Sequence, residues 1–145
     1  RSILCKPFPE KMRDHINKNV KFREYFRPFA PSVLEEDLHD YFTINQSSPH
    51  MLIACSVKKD KKASIPATVH VDNTCRAQSV SKNLNPKFWN LINEFKKITG
   101  IPVLLNTSFN IKGQPIVNNP KDAIDCFKKY KIDYLVTDSI LVKKN

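Results

Sequence analysis

The segment Gly100-Ile101-Pro102-Val103-Leu104-Leu105-Asn106-Thr107-Ser108-Phe109-Asn110 joins an apolar run to four polar side chains interrupted by one aromatic ring. The run Val103 to Leu105 predicts a buried strand. In open α/β sheets, ligands bind beyond the carboxyl ends of the strands, where polar groups project into a crevice. The uncharged amides and hydroxyls that follow this strand therefore suit a polar ligand whose charge is met by cations elsewhere.

The size and composition of the chain predict one mixed α/β domain over residues 1–145. A chain of 145 residues with 41% hydrophobic content can bury a single continuous core. No apolar stretch approaches the roughly 20 residues that a membrane span needs. Because the chain begins at Arg1 with neither an initiator Met nor a signal peptide, we expect a piece excised from a longer protein.

The cysteines and the two glycines narrow the class of site. The four cysteines are far apart and form no CxxC pair, which favours reduced thiols and a cytoplasmic location over a disulfide framework or a zinc site. With only two glycines, the chain has no phosphate-binding glycine loop of the P-loop or dinucleotide type.

The net charge of +10 raises the question of nucleic-acid binding. Much of the excess is Lys scattered over predicted helix faces and in Lys58–Lys62, which is typical of a solvated loop. A Lys-rich surface explains this distribution, and it is compatible with an anionic small ligand. We therefore do not expect nucleic acid to be the partner.

Apolar spacing and turn residues predict alternating helices and strands. Helices are predicted over Lys11–Val20, Glu35–Phe42, Pro86–Thr99 and from Asn119 or Pro120 onward. Strands are predicted over Met51–Val57, Ala67–Val71, Val103–Leu105, Tyr134–Thr137 and Ile140–Val142, the first of them central, and Ile116–Val117 is predicted to be a short extended piece.

The helix over Pro86–Thr99 has the clearest signals. Asn85 suits the N-cap, Pro86 the first helical position, and Gly100 the end of the helix. Its apolar residues are predicted to share one face: Phe88, Leu91, Ile92, Phe95 and Ile98.

The basic and aromatic segment Lys21–Pro31 is the first candidate site. Its prolines exclude a regular helix, and in an extended segment Lys21, Arg23 and Arg27 would point the same way together with Tyr25. Three cations on one face repel each other unless an anion or carboxylates lie between them. A surface strand with solvated cations is the alternative, but the flanking aromatics and prolines favour a rigid, partly buried anion site.

The segment His70–Arg76 is the second candidate. It offers His70, Asp72, Thr74 and Arg76 close together after an apolar strand. A metal site would need more ligands, and Cys75 as a nucleophile would need a nearby base. Arg76 as a second anion ligand is more credible. The structural alternative makes Asp72 a turn cap and His70 a satisfied interior imidazole.

The polar segment Asn106–Asn110 is the third candidate, with Asn106 and Thr107 shaping a turn and Ser108 and Asn110 facing the ligand. Alternatively, all of these groups cap the backbone at the strand end. Taken together, the three segments describe a pocket with cations on two segments and neutral polar groups on the third. That combination suits a nucleotide or an acyl phosphate.

These motifs resemble the C-terminal domain of the O-carbamoyltransferases, the enzymes of antibiotic tailoring and nodulation-factor decoration. The resemblance runs from Arg1 nearly to the C-terminus. It is carried, in order, by Arg1–Leu4, Lys21–Leu34, Ile65–Ala67, His70–Gln78, Asn106–Asn110 and Gly113–Val117. Such domains are similar to the YrdC fold, so the resemblance implies a twisted open mixed sheet with flanking helices. Where the family usually has Glu after Gly113, this chain has Gln114, which removes one negative charge.

The resemblance implies an adenylate-forming activity. ATP with Mg²⁺ and carbamoyl phosphate would give carbamoyl adenylate and pyrophosphate here. A separate N-terminal, metal-binding transferase domain of the same chain would then pass the carbamoyl group to a substrate hydroxyl. No metal site is expected within this segment.

The implied roles fall on the candidate residues. Lys21 and Arg23 would bind phosphate oxygens, Arg76 would stabilise the departing phosphate, and Ser108 and Asn110 would donate and accept neutral hydrogen bonds. Lys21 and Arg76 are thus the predicted catalytic residues. The binding set is Lys21, Arg23, Arg27, His70, Thr74, Arg76, Ser108 and Asn110.

Two other functions stay open at this point. The segment could be a basic nucleotide- or RNA-binding module without catalysis of its own, or a folded domain that is inert without its partner domain.

Overall fold

The computed structural model describes residues 1–144 and has the predicted mixed α/β character. Its contacts group the chain into two compact units. The larger holds residues 4–13 and 28–107, and the smaller holds residues 1–3, 14–27 and 108–144. A single domain over residues 1–145 stays a prediction, and Asn145 lies outside the described residues. Each unit is described by itself.

The elements follow one another in a mixed order. The strands are β1 (Ser2–Cys5), β2 (Ala30–Leu34), β3 (Phe42–Thr43), β4 (Cys55–Val57), β5 (Thr74–Cys75), β6 (Gln78–Val80), β7 (Val103–Ser108), β8 (Tyr134–Thr137) and β9 (Ile140–Lys143). The α-helices are α1 (Lys11–Ile16), α2 (Leu38–Tyr41), α3 (Pro86–Thr99) and α4 (Pro120–Lys129).

The strands of the described residues form three sheets. The first has the order β1-β7-β2-β6, with β2 parallel to β6 and antiparallel to β7. The second is antiparallel, with β4 between β3 and β5. The third is the β8–β9 hairpin. The predicted mixed sheet with flanking helices is therefore confirmed, and so is the central position of the strand that ends at Val57.

Helix α3 has the predicted bounds. The Asn85 side chain accepts a hydrogen bond from the Phe88 N–H, and Gly100 ends the helix with φ of +76°. The predicted apolar face is too wide, however. Ile92 is fully buried with Phe88 and Phe95 against it, whereas Leu91 is 49% and Ile98 is 84% exposed.

The predicted strand over Ala67–Val71 is wrong. Pro66–Thr68 is a 3₁₀ turn instead, because Pro66 fixes a φ suited to the start of a turn and the Thr68 hydroxyl donates to the Ile65 carbonyl at 2.9 Å. The strand predicted from Met51 is shorter than expected and forms only over Cys55–Val57. The short extended piece predicted over Ile116–Val117 has no regular secondary structure.

Two apolar clusters stabilise the larger unit. One packs around Phe42, Leu38, Ile65 and Val33 and includes the thiols of Cys55 and Cys75, which face each other across β4 and β5 with sulfurs 3.7 Å apart. The other packs Leu34, Val80 and Leu104 against Ile92 of α3. Burial of these side chains is the main stabilising term of the unit.

Candidate anion-binding site

Lys21 comes from an irregular end of α1. The predicted helix begins at Lys11, but after Ile16 it widens into a π-helical turn over Asn17–Lys21. Phe22 then reverses the chain with φ of +50°. Single π-turns of this kind are frequent at functional sites. This turn buries two polar side chains of the smaller unit, Asn17 at 0% exposure and Lys21 at 4%.

The Lys21 ammonium is held by the end of β7 and the loop after it. Its Nζ donates to the Ser108 carbonyl at 2.9 Å, to the Asn110 carbonyl at 2.6 Å and to the Asn110 Oδ1 at 2.7 Å. The Ser108 hydroxyl donates to the same Oδ1 at 2.6 Å. These bonds join Lys21 to residues that lie 87 and 89 positions later in the chain. The structure thus brings Lys21, Ser108 and Asn110 together as predicted, and we call these three residues the Lys21 group.

The charge of this group is uncompensated. Within residues 1–144, no carboxylate lies at ion-pair distance from the Lys21 ammonium, and all of its acceptors are neutral. Burial, with Arg23 and Arg27 as further contributors, lowers the pKa of Lys21 from 10.5 to about 8. A cation held in this way gains from any anion that enters beside it.

Asn17 positions the loop that carries the arginines. Its Oδ1 accepts from Arg23 Nε at 2.7 Å, and its Nδ2 donates to the carbonyls of Tyr25 and Arg27 at 3.1 and 3.0 Å. Sequence reasoning missed this residue. The available signal was an amide directly after Ile16 in an apolar helical stripe, where Asn is poorly suited.

The loop is not the predicted extended strand. Residues 22–29 are irregular with a turn at Tyr25–Phe26, because Phe22 is left-handed and Arg27 N–H bonds back to the Glu24 carbonyl. Tyr25 is therefore 74% exposed against Phe26 rather than aligned with the cations. Arg23 and Arg27 still face the same cavity as Lys21.

That cavity has a volume of about 520 Å³ and contains five of the eight predicted site residues. Its walls come from the π-turn, the arginine loop and the segment after β7. They include Lys21, Arg23, Arg27, Ser108 and Asn110. Lys112 adds a fourth cation, which the sequence patterns did not indicate, and Gln114 lies on the same wall.

Glu24 is an acidic side chain that pairs with two of these cations. Its carboxylate lies 3.7 Å from Arg27 and 3.5 Å from Lys112. A hydrogen bond from its own backbone, followed by Lys112, lowers the pKa of Glu24. Four cations contribute to the walls of this cavity, which favours an anionic ligand.

A second cavity of the same unit has the opposite character. It measures about 430 Å³ and lies between residues 114–117 and α4. Asp122, Asp125, Lys129 and the rings and apolar side chains near them form its walls. With two carboxylates and one cation, it does not suit a phosphate group.

The second candidate segment lies in the larger unit and forms a local turn. Asp72 Oδ1 accepts from the Thr74 backbone N–H at 2.9 Å, the Thr74 hydroxyl at 2.6 Å and His70 Nδ1 at 3.1 Å. These bonds, those of Thr74 first, lower the pKa of Asp72. The capping role of Asp72 is thus confirmed, His70 is only partly buried, and Arg76 is exposed.

The third candidate segment divides between two environments. Asn106 and Thr107 do not shape a turn, because both lie within β7. Asn106 pairs with Ala30, and its buried amide donates to Ser32 Oγ and Gln78 Oε1 at 3.0 Å each. It therefore ties β7 to β2 and β6, whereas Ser108 and Asn110 belong to the Lys21 group.

Three further features concern the Lys58–Lys62 segment, helix length and clusters of metal-binding side chains. Lys58–Lys62 lies at an exposed turn, where Lys61 pairs with Asp60 and covers the Tyr41 ring. Over residues 1–144, no helix is both long and apolar enough to cross a membrane. The same residues contain no cluster of three or more His, Cys, Asp or Glu side chains that could bind a metal ion.

The class of protein follows from a family comparison. The family described as carbamoyltransferase C-terminus matches residues 1–144. The chain therefore belongs to that family, and the resemblance in the motifs is confirmed.

Curated relatives extend this result. The chain is 47% identical over 147 residues to the nodulation protein NolNO of Sinorhizobium fredii and 46% identical over 147 residues to the nodulation protein NolO of Bradyrhizobium diazoefficiens. It is 37% identical over 144 residues to nodulation protein U of Sinorhizobium fredii. Each alignment covers 99% of this chain but only 22%, 27% and 25% of the relative. The chain thus spans about a quarter of the length of these proteins.

Proposed function

We propose that this chain is the adenylate-forming part of an O-carbamoyltransferase, which binds ATP with Mg²⁺ and carbamoyl phosphate and makes carbamoyl adenylate. One observation supports this most strongly. The buried Lys21 ammonium meets only neutral acceptors and lies beside Arg23 and Arg27 at a cavity large enough for an acyl phosphate. The family match supports the carbamoyl chemistry, and the cations of the cavity support phosphate binding.

The reaction balances with one water molecule. Attack of water on carbamoyl phosphate releases inorganic phosphate and leaves carbamate. A carbamate oxygen then attacks the α-phosphorus of ATP, and pyrophosphate leaves. The first step develops charge on the departing phosphate, and the second brings the carbamate anion to polyanionic ATP. Positioning and charge neutralisation are therefore what the protein must contribute.

The contacts suggest how the cations divide this work. All three N–H groups of Lys21 already have protein acceptors, so a phosphate oxygen reaches Lys21 only by displacing one of them. Arg23 and Arg27 present forked donors that suit phosphate oxygens. We assign phosphate binding first to the arginines, and to Lys21 the buried charge that draws the anion in and orients Ser108 and Asn110.

The remaining predicted residues keep separate roles. Arg76, exposed in the larger unit, is proposed to stabilise the charge on the departing phosphate. His70 and Thr74 are proposed to bind the nucleotide only indirectly, because both are engaged with Asp72. Transfer of the carbamoyl group to a hydroxyl acceptor is assigned to a metal-binding domain in the N-terminal part of the full polypeptide.

The test is carbamoyl-phosphate-dependent exchange of labelled pyrophosphate into ATP by the full polypeptide. Exchange is expected with carbamoyl phosphate present and absent without it, because only carbamoyl adenylate can return the label to ATP. Carbamoyl transfer without any exchange would contradict the adenylate route.

The full polypeptide also tests the alternative that this chain is an RNA-binding module. An RNA module would bind with an affinity that falls steeply with salt and depends on Lys58–Lys62. The proposal expects the reverse ranking. Replacing Ser108 with Ala should lower exchange, while charge removal at Lys58 and Lys59 should leave it unchanged.

A further inference from the structure

One face of the β8–β9 hairpin carries large apolar side chains that are each more than half exposed. Residues directly opposite one another in an antiparallel pair share a face. The register pairs Tyr134 with Lys143 and Val136 with Leu141, so these four side chains form what we call the outer face. Tyr134 is 53%, Val136 66% and Leu141 64% exposed. Three large apolar side chains therefore lie side by side in solvent.

The other face of the hairpin is anchored at Leu135, although Val142 and Ile140 on the same face are 41% and 61% exposed. Leu135 is 5% exposed, and β8 contacts α4. Lys144, at the end of β9, donates to the carbonyls of Phe127, Lys128 and Tyr130 at 3.0, 2.9 and 2.7 Å, where α4 ends. The exposed apolar face is thus presented by a fixed element rather than by a fraying terminus.

An anchored two-stranded sheet with an apolar outer face is an incomplete layer. Isolated hairpins are marginal in water, and sheets gain stability when a third element covers an apolar face. A contiguous apolar patch of this kind marks an interaction site. The question is what covers it.

The length of the relatives identifies the occupant. The chain covers 22% and 27% of NolNO and NolO, so most of such a polypeptide lies outside residues 1–145. The description of the family as a carbamoyltransferase C-terminus favours a remainder on the N-terminal side of this segment. A part of the same molecule is present at high effective concentration, which a separate partner is not.

We infer that the outer face of the β8–β9 hairpin is the docking surface for the N-terminal part of the full polypeptide. The covering surface would be apolar opposite Tyr134, Val136 and Leu141, with an acceptor such as a carboxylate opposite Lys143. The inference goes beyond the proposed reaction and does not depend on it.

The test places a photo-crosslinking phenylalanine analogue at Leu141 in the full polypeptide. Ile140 is the matched control, since it is adjacent and 61% exposed but lies on the opposite face. Unlabelled and isotope-labelled protein are mixed before irradiation, and the crosslinked peptides are identified by mass spectrometry. Crosslinks within one molecule are thereby distinguished from crosslinks between two copies.

The inference expects crosslinks from position 141 to residues preceding Arg1 of the same molecule, at least several-fold above those from position 140. Crosslinks that mix the two labels would show that a second copy covers the face. Equal yields at both positions, or none at position 141, would show that the face is free. Either of these results overturns the inference.

Discussion

The Lys21 group and the His70–Arg76 segment look alike as sequence patterns but are built in opposite ways. The Lys21 group joins positions 87 and 89 residues apart into one buried group. The His70–Arg76 segment closes on itself through Asp72, two residues from each of its partners. The first arrangement exists only if the chain folds, whereas the second needs only a local turn.

The two regions differ in whether their charge is compensated by a partner. Around Lys21, burial leaves a cation without a carboxylate and lowers its pKa to about 8. Around Asp72, a short turn satisfies a carboxylate and leaves Arg76 in solvent. An uncompensated buried charge is costly to keep, and such groups cluster at functional sites.

Among the changes that test this comparison, replacing Lys21 with Met should have the largest effect on carbamoyl phosphate affinity. The change removes the buried charge and leaves the Ser108 and Asn110 oxygens without their donor. Hydrogen bonds to charged groups contribute about 1.5–3 kcal/mol each, so carbamoyl phosphate affinity should fall roughly a hundredfold. Calorimetric titration measures this.

Lys18→Met is the matched control for Lys21→Met, because Lys18 is an exposed cation of the same π-turn. It should leave the affinity within about threefold, as expected for a solvated charge. Equal losses in the two variants would mean that net charge, rather than the buried group, attracts the anion.

Replacing Asn17 with Ala should come next. Three hydrogen bonds are lost, and the carbonyls of Tyr25 and Arg27 lose their donor. Unsatisfied buried groups cost about 1–3 kcal/mol each, so the free energy of unfolding should fall by about that amount or more, and anion affinity about tenfold. Denaturant unfolding and titration measure the two effects.

Asn19 supplies the comparison for Asn17, because it lies in the same turn and its amide contacts only His15. Asn19→Ala should change neither quantity measurably. If Asn17→Ala lowered stability but left anion affinity unchanged, Asn17 would be structural and would not position Arg23.

Replacing Arg76 with Gln should give a smaller effect of a different kind. Arg76 is exposed, so stability should not change, while pyrophosphate exchange in the full polypeptide should slow about tenfold. Lys59→Gln, which removes an exposed charge of the larger unit outside the predicted site, is the control and should stay within about threefold. Full exchange activity in Arg76→Gln would remove this segment from the reaction.

The sequence could predict elements wherever local chemistry decides them. Asn85, Pro86 and Gly100 define both ends of α3, and Asn119 caps α4 by accepting from the Asp122 N–H. The β8–β9 hairpin also has its predicted position, with β9 one residue longer. In each case the deciding residues lie within a few positions of one another.

The errors occur where partners distant in the sequence decide. Asn106 was predicted to shape a turn because the partners that place it within a strand, Ser32 and Gln78, are far from it in the sequence. Lys112 and Asn17 were missed because their roles depend on how distant segments converge on one cavity. The prediction that the cations of Lys21–Arg27 lie together was correct, but its reason was wrong. A π-helical turn and the left-handed Phe22 bring the cations together, rather than the expected extended strand.

Titration of Lys21 also links the site to pH. Its pKa is lowered in the folded state, so between about pH 8 and the unfolded value of 10.5 the unfolded chain binds more protons. The stability contribution of this group therefore rises with pH across that window, as the folded state sheds a costly charge. Anion affinity moves the other way, because the anion binds the protonated ammonium.

The most direct measurement of the central claim is the proton uptake that accompanies carbamoyl phosphate binding near pH 8.5, from calorimetry in two buffers with different ionisation enthalpies. If the anion enters beside Lys21, it raises the pKa of Lys21, and binding should take up a substantial fraction of one proton. Lys21→Met should abolish this uptake and Lys18→Met should preserve it. Binding without proton uptake, or uptake that persists in Lys21→Met, would contradict the assignment of the anion to the Lys21 group.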